Sequence, residues 1–268
     1  MKNKVVVITG ASSGIGRALA VRLAHLGAKV VLAARNMLLI EDISSALNAE
    51  GFNTMAVKVD VSAEEDCKLL IENTIQKYGK IDILINNAGI SMRAMFEDVN
   101  LEVIRKLMDV NFWGTVYCTK YALPYILKEQ GSIVGVSSIA GYKGLPARSG
   151  YSASKFAMQG FLDVLRIENL KKDLHVLVAC PGFTATNIRK TALAKDGSQQ
   201  GETPRDEDKM MSADTVAQRI IQAIIKRKRT IIMTSDGVLT VFLNKFFPAL
   251  VDKLVYTHMA KEPDAPFK

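Results

Sequence analysis

The chain has 268 residues, 49% of them hydrophobic and 23% charged, an ordinary soluble composition near the upper size of one domain, and no apolar run reaches the roughly eighteen residues of a membrane span. Three scattered cysteines, Cys67, Cys118 and Cys180, with no C-x-x-C spacing, and three isolated histidines, His25, His175 and His258, argue against a disulfide framework or a metal site and point to reduced thiols in the cytoplasm. The net charge of +8 raises a nucleic-acid partner, but only Lys226-Arg-Lys-Arg229 is dense, it closes an apolar-periodic helix where cations suit the dipole, and no groove-reading motif accompanies it, so no nucleic acid is expected.

In chain order, Met1-Lys-Asn-Lys4 runs straight into a β-branched strand at 5–9, without the length or cleavage site of a secretory segment. Thr9-Gly10-Ala-Ser-Ser-Gly14-Ile-Gly16 follows, opening a helix at 15–26 that Gly27 stops. A strand at 29–33 precedes a helix at 37–50 and Gly51. A strand at 55–59 precedes a helix at 63–77 and Gly79. Further strands are expected at 81–85, 132–136 and 176–179, with helices at 101–128 and 152–172 between them. The strands are almost wholly apolar, as in a parallel sheet covered on both faces. Repeated βα alternation without a linker predicts one α/β domain, a doubly wound sheet. Residues 187–213, holding Lys195-Asp-Gly-Ser-Gln-Gln-Gly201 and Thr203-Pro204, are polar and aperiodic and follow the sixth strand, a place that suits a lid over a site.

The glycine-rich turn lies between strand and helix, where Gly10 permits the tight turn, Gly14 lets backbone approach a phosphate and Gly16 allows close helix–strand packing. Ser12, Ser13 and Ile15 complete that loop, and the helix N-terminus beyond it suits a pyrophosphate. Its spacing is G-x-x-x-G-x-G rather than the general G-x-G-x-x-G. At the tip of the second strand NAD is usually held by an acidic residue, whereas NADP wants an arginine. Here the chain reads Leu32-Ala-Ala-Arg35-Asn36. Arg35 offers a planar fork to a 2′-phosphate, so NADP(H) is the expected cofactor, and a basic surface would attract it.

Tyr151 and Lys155, in Tyr-Ser-Ala-Ser-Lys, are i and i+4, so phenol and ammonium share one helix face. An adjacent ammonium is expected to lower the phenol pKa toward neutrality and make Tyr151 a general acid or base.

Asn86-Asn-Ala-Gly89 after the fourth strand, Asn111 in Asn-Phe-Trp-Gly114, Ser138, and Pro181-Gly182 after the sixth strand complete an ordered set. With Thr9–Gly16 and Tyr151–Lys155 it closely resembles the NADP-preferring branch of the short-chain dehydrogenase/reductase family, over about residues 4–235. The resemblance implies a Rossmann-type fold with a seven-stranded parallel sheet and a catalytic set of Asn111, Ser138, Tyr151 and Lys155. Tyr151 would protonate a carbonyl as hydride arrives, and Ser138 would hold its oxygen. Lys155 would lower the tyrosine pKa and grip the nicotinamide ribose, while Asn111 would hold a water leading to solvent. Asp60 and Val61 would flank adenine, with Asn87, Ala88 and Gly89 beside adenosine. Pro181, Gly182, Phe183, Thr184 and Thr186 would orient the carboxamide. The family also implies homodimers or homotetramers through the helices at 101–128 and 152–172.

The implied activity is hydride transfer between nicotinamide and a small-molecule carbonyl or secondary alcohol, on a ketone or hydroxysteroid-like substrate. A 3-oxoacyl-acyl-carrier-protein reductase and a non-catalytic NADP-binding regulator stay open, although the intact tetrad argues against the second. Substrate would meet 91–96, 141–148 and the lid, and Ile90, Met92, Met95, Phe96, Tyr142, Leu145, Phe183 and Leu193 make an apolar, methionine-adapted pocket the expectation. The catalytic domain is taken as 1–235, with a seventh strand at 230–234. Beyond it, 236–268 is an apolar helical extension broken at Pro248. It would contact a neighbouring subunit or the pocket, or, through 238–257, lie peripherally on a membrane surface.

Overall fold

The computed structural model describes residues 1–203 and 210–267; the 204–209 part of the expected lid, with Pro204, lies outside the described residues. The first half alternates β1 (Val5–Thr9), α1 (Gly14–His25), β2 (Lys29–Ala34), α2 (Met37–Ala49), β3 (Thr54–Lys58), α3 (Glu64–Tyr78) and β4 (Ile83–Asn86). The second half continues with α4 (Leu101–Met108), α5 (Gly114–Lys128), β5 (Ser132–Val136), α6 (Ser149–Glu168) and β6 (His175–Cys180), followed by β7 (Thr184–Ala185), β8 (Met211–Ser212), α7 (Ala213–Ile225), β9 (Thr230–Ile232), α8 (Ser235–Phe246) and α9 (Pro248–Met259).

Seven strands form one sheet in the order β3-β2-β1-β4-β5-β6-β9, every pair parallel. Successive strand side chains face opposite ways, which splits the apolar runs between two cores. Val6, Ile8, Val30, Leu32, Ile85 and Leu177 pack beneath α1, α2 and α7. On the other face Val7, Val31, Leu84, Ile133 and Val176 meet α3, α5 and α6. The strand order reverses between β1 and β4, and a doubly wound sheet opens its ligand crevice at that point.

The helix expected at 152–172 runs from Ser149 to Glu168 with a 3-10 turn at Leu170–Lys172 after it, the seventh strand ends at Ile232, and two further elements differ. The fourth strand begins at Ile83 rather than Ile81, because the buried Asp82 carboxylate accepts the Val5 N–H (2.8 Å) and the Lys4 ammonium (2.6 Å). The expected single α-helix at 101–128 is interrupted by a π-helical turn at Asp109–Trp113. Asn111, at its centre, is fully buried and turned onto the Ile90 backbone. Gly114, at the end of the turn, lies so close to Val61 that a Cβ would meet the Val61 side chain at 2.8 Å. A five-residue turn accommodates both contacts, and such turns recur at functional sites.

Candidate active site

Gly10 has φ 66°, and an added Cβ there would stand 2.8 Å from the Ala88 Cα. At Gly16 the Cβ would come within 2.2 Å of the Gly10 carbonyl oxygen, so the turn closes only on glycine. Asn87 Nδ2 donates to the carbonyls of Thr9 (2.9 Å) and Gly10 (3.2 Å), while the Thr9 hydroxyl accepts the N–H of Asn87 and of Ala88, each at 3.0 Å. The loops after β1 and β4 are thereby fastened together. Ser13 stands extended at the α1 N-terminus and makes no side-chain cap. The first-turn amides are thus left to another acceptor, which is what an anion wants.

A continuous cleft of about 2050 Å³ runs from this turn across the sheet edge. Its lining includes Gly10, Ser12, Ser13, Gly14 and Ile15, then Arg35, Asp60, Val61, Asn87, Ala88 and Gly89. Beyond them come Ser138, Tyr151 and Lys155, and Pro181, Gly182, Phe183, Thr184 and Thr186. Of the expected site residues only Gly16 and Asn111 stand behind the wall, the first against Gly10 and the second buried. The Arg35 side chain is exposed at the β2 tip, next to Asn36, whose Oδ1 accepts the Leu39 N–H and starts α2. Asp60 is already engaged, since its Oδ1 accepts the Ser62 N–H (3.0 Å) and hydroxyl (2.7 Å). The loop and Arg35 suit a nicotinamide dinucleotide, with phosphates at the glycines and an adenosine at the β2 tip.

Ser138 follows β5, and its Oγ accepts the Ala140 N–H at 3.2 Å. Tyr151 lies in the first turn of α6, with the Lys155 Nζ 5.8 Å from its ring centre. The ammonium donates to the Val136 carbonyl at 2.9 Å, which ties α6 to the end of β5. Asn111 Oδ1 accepts the Ile90 N–H (2.8 Å), and its Nδ2 donates to the Ile90 carbonyl (3.0 Å) and to the Ser154 hydroxyl (2.9 Å). A Cβ on Gly89 would lie 3.1 Å from Asn111 Oδ1 and 3.5 Å from Lys155 Nζ, so Asn111 and Lys155 flank one glycine.

The expected lowering of the tyrosine pKa is corrected. Tyr151 keeps a partly exposed edge, but burial of its hydroxyl pushes the phenol up, and only then do a Ser138 hydrogen bond and the Arg148 charge draw it back. Burial also takes Lys155 down to about 8. The two side chains do stand close at i, i+4, but burial is the largest cause of the shift in each.

The substrate end also departs from expectation. Ile90, Leu145, Phe183 and Leu193 line the cleft, but Met92 is fully buried against Leu193 in a small core with Leu107. Phe96 is 67% exposed and Tyr142 packs into the α6-side core. The methionines that reach the cleft are Met210, Met211 and Met259. Within the lid, Leu193 exchanges backbone hydrogen bonds with Ser91 and Arg93 (2.9 Å each), which binds 187–203 to the loop after β4. Helices α8 and α9 form on either side of Pro248 and fold back over the cleft, contributing Leu239, Leu243, Leu254, Val255 and Met259. The expected pocket contact of the 141–148 loop and of the C-terminal extension is thus met by Arg148 and this wall.

A sequence profile described as short chain dehydrogenase matches residues 4–197. Dehydrogenase/reductase SDR family member 7B of Mus musculus is 36% identical, over 98% of this chain and 83% of its own length. The 11-beta-hydroxysteroid dehydrogenase 1A of Arabidopsis thaliana is 34% identical, over 93% and 73%. Among solved structures, a short chain dehydrogenase/reductase from Burkholderia phymatum in complex with NAD superposes with a TM-score of 0.82 at 26% identity, covering 93% of this chain and 95% of that one.

Proposed function

This chain belongs to the short-chain dehydrogenase/reductase family, and from that premise we propose that it is an NADP(H)-dependent carbonyl reductase acting on an extended apolar ketone, in the manner of a hydroxysteroid dehydrogenase. The observation that carries the reading is that Ser138, Tyr151 and Lys155 line the same cleft as the glycine-rich turn and Arg35. When bound, the nicotinamide supplies the hydride. Tyr151 donates the proton to the substrate oxygen, and Ser138, within reach of the same phenol, holds that oxygen as charge develops on it. Lys155, anchored on the Val136 carbonyl behind the phenol, would return the proton once Tyr151 has given it up. Asn111 keeps the Ile90 backbone and the Ser154 hydroxyl in place around it.

The cofactor choice rests on Arg35 at the β2 tip, where an NAD-binding chain usually offers an acid. The apolar substrate rests on the wall formed by Leu145, Phe183, Leu193, Leu243, Leu254 and Met259. Exposed apolar faces on α6 and on α8–α9, including Val164, Ile167, Phe242 and Leu250, suit a homo-oligomer and, for the C-terminal pair, a peripheral membrane surface.

The test is an NADPH-oxidation screen over steroid, quinone, thioester and simple ketones with the parent chain and Tyr151→Phe. The parent should turn over at least one apolar ketone, while the variant should bind NADPH with unchanged affinity and lose about a thousandfold in kcat. Turnover surviving in Tyr151→Phe rejects the proton-donor role.

A further inference from the structure

The segment beyond α9 carries a carboxylate that nothing in the reaction requires. Glu262 is only 4% exposed, and its Oε2 lies 3.2 Å from Arg148 Nη2, itself in a residue only 8% exposed. The same oxygen stands 3.9 Å from Arg93 Nε, and Arg93 Nη2 donates to the Pro263 carbonyl at 2.6 Å. These two arginines come from different loops, those after β4 and β5, which the Ala94 N–H joins through the Ala147 carbonyl (3.0 Å). Arg93 lies on the loop after β4 that carries the lid, with its N–H on the Leu193 carbonyl. Arg148 lines the cleft and is the N-cap residue of α6, three residues before Tyr151, its carbonyl accepting the Ser152 N–H at 2.9 Å.

Buried ion pairs are poor sources of stability, because desolvation offsets most of the attraction, but an unpaired buried charge is costly. The pairing therefore favours the placement of the C-terminal segment that brings the carboxylate to the arginines, since withdrawing it takes this partner from the buried Arg148. That placement is what lays α9 over the cleft. The Lys143–Asp252 pair (2.6 Å) and the bond from Asn244 Nδ2 to the Tyr142 carbonyl (3.3 Å) fasten the same helices to the loop after β5.

We propose that Glu262 is a positioning residue that sets substrate size selection, holding α9 across the mouth so that Leu254, Val255 and Met259 form the outer wall met by large apolar ketones. The proposal rests on the carbonyl-reductase reading for its substrate and on geometry alone for the placement of α9. A small ketone reaching Ser138 and Tyr151 would not touch that wall. A large one would be held by it, so loss of the wall acts on binding of large substrates and not on the chemical step.

The full-length parent and Glu262→Gln are compared by hydrogen-exchange mass spectrometry and by kinetics on cyclohexanone and on a large apolar ketone taken from the screen. The variant should exchange the α9 amides about tenfold faster while α6 is unchanged. Its KM for the large ketone should rise about tenfold, with kcat, the cyclohexanone KM and the NADPH affinity each within about twofold of the parent. Unchanged α9 exchange overturns the proposal, and so does an equal fall in kcat on both ketones with KM unmoved, which is what a general loss of folded protein gives. If the parent reduces no ketone, the reductase reading fails, and the exchange measurement alone decides whether Glu262 places α9. Should the Gln variant not fold, Arg93→Lys loses the bond to the Pro263 carbonyl while keeping its charge, and is judged by the same readouts.

Discussion

Lys155→Met should make this protein more stable and less active. The lysine is 3% exposed, and burial takes its ammonium from an ordinary 10.5 down to about 8. That gap, at roughly 1.4 kcal/mol per pKa unit, is about 3 kcal/mol by which the folded state disfavours the charged form. Above about pH 10.5 both folded and unfolded chains hold a neutral amine and the cost vanishes. As pH falls toward 8 the unfolded chain takes a proton that the fold refuses, and stability declines; below 8 the cost is constant. Methionine keeps the aliphatic stem but leaves the Val136 carbonyl without its 2.9 Å donor, a loss of about 1 kcal/mol. The net gain at pH 7 is about 2 kcal/mol, or about 6 °C in Tm for a chain of this size. Urea unfolding at pH 7, 8.5 and 10 measures it, with the advantage of the variant shrinking as pH rises. A variant less stable at pH 7, or an advantage that does not shrink by pH 10, refutes the desolvation argument.

Arg35→Asp should invert the NADPH:NADH ratio of kcat/KM, changing it by about a hundredfold or more, since it removes a bidentate donor and adds a repelling charge; an unmoved ratio in steady-state assays removes Arg35 from cofactor selection. Gly16→Ala would set a methyl group 2.2 Å from the Gly10 carbonyl oxygen, so it should cost about 1–3 kcal/mol in denaturant unfolding and abolish nucleotide binding by calorimetry. Ketone reduction should hold through neutral pH, where Tyr151 is protonated, and decline as pH rises past the value of about 8 for Lys155, with alcohol oxidation rising over the same range; a reduction rate that peaks above pH 9 contradicts this order.

The sheet was legible because buried parallel strands leave an unambiguous apolar signature, and Gly10–Gly16 marked its switch point. The order of the site motifs along the chain located Ser138, Tyr151 and Lys155 correctly on one cleft. What was not legible depended on three-dimensional neighbours. Asn111 sits at the centre of an interrupted helix because Ile90 and Ser154 take its amide, and no periodicity reports such a bond. Met92 reads as a pocket residue by its place in the loop, yet Leu193 from the lid buries it. The C-terminal helices showed their period and their Pro248 break, but the contacts that fasten them, Lys143–Asp252, Asn244 to the Tyr142 carbonyl and Glu262 with Arg93 and Arg148, join distant segments. Charge pairs between distant segments leave no local pattern.

The same desolvation that corrects the first reading of Tyr151 explains why the pair is useful. Had the ammonium prevailed, the tyrosine would tend to phenolate at neutral pH, the form that takes a proton from an alcohol. Burial instead raises the phenol and lowers the lysine, so the resting pair is a protonated tyrosine beside an ammonium held near its own titration point. In the proposed reaction a tyrosine in that state would give the proton and Lys155 would return one. The Arg148 charge also favours the phenolate, but burial outweighs it.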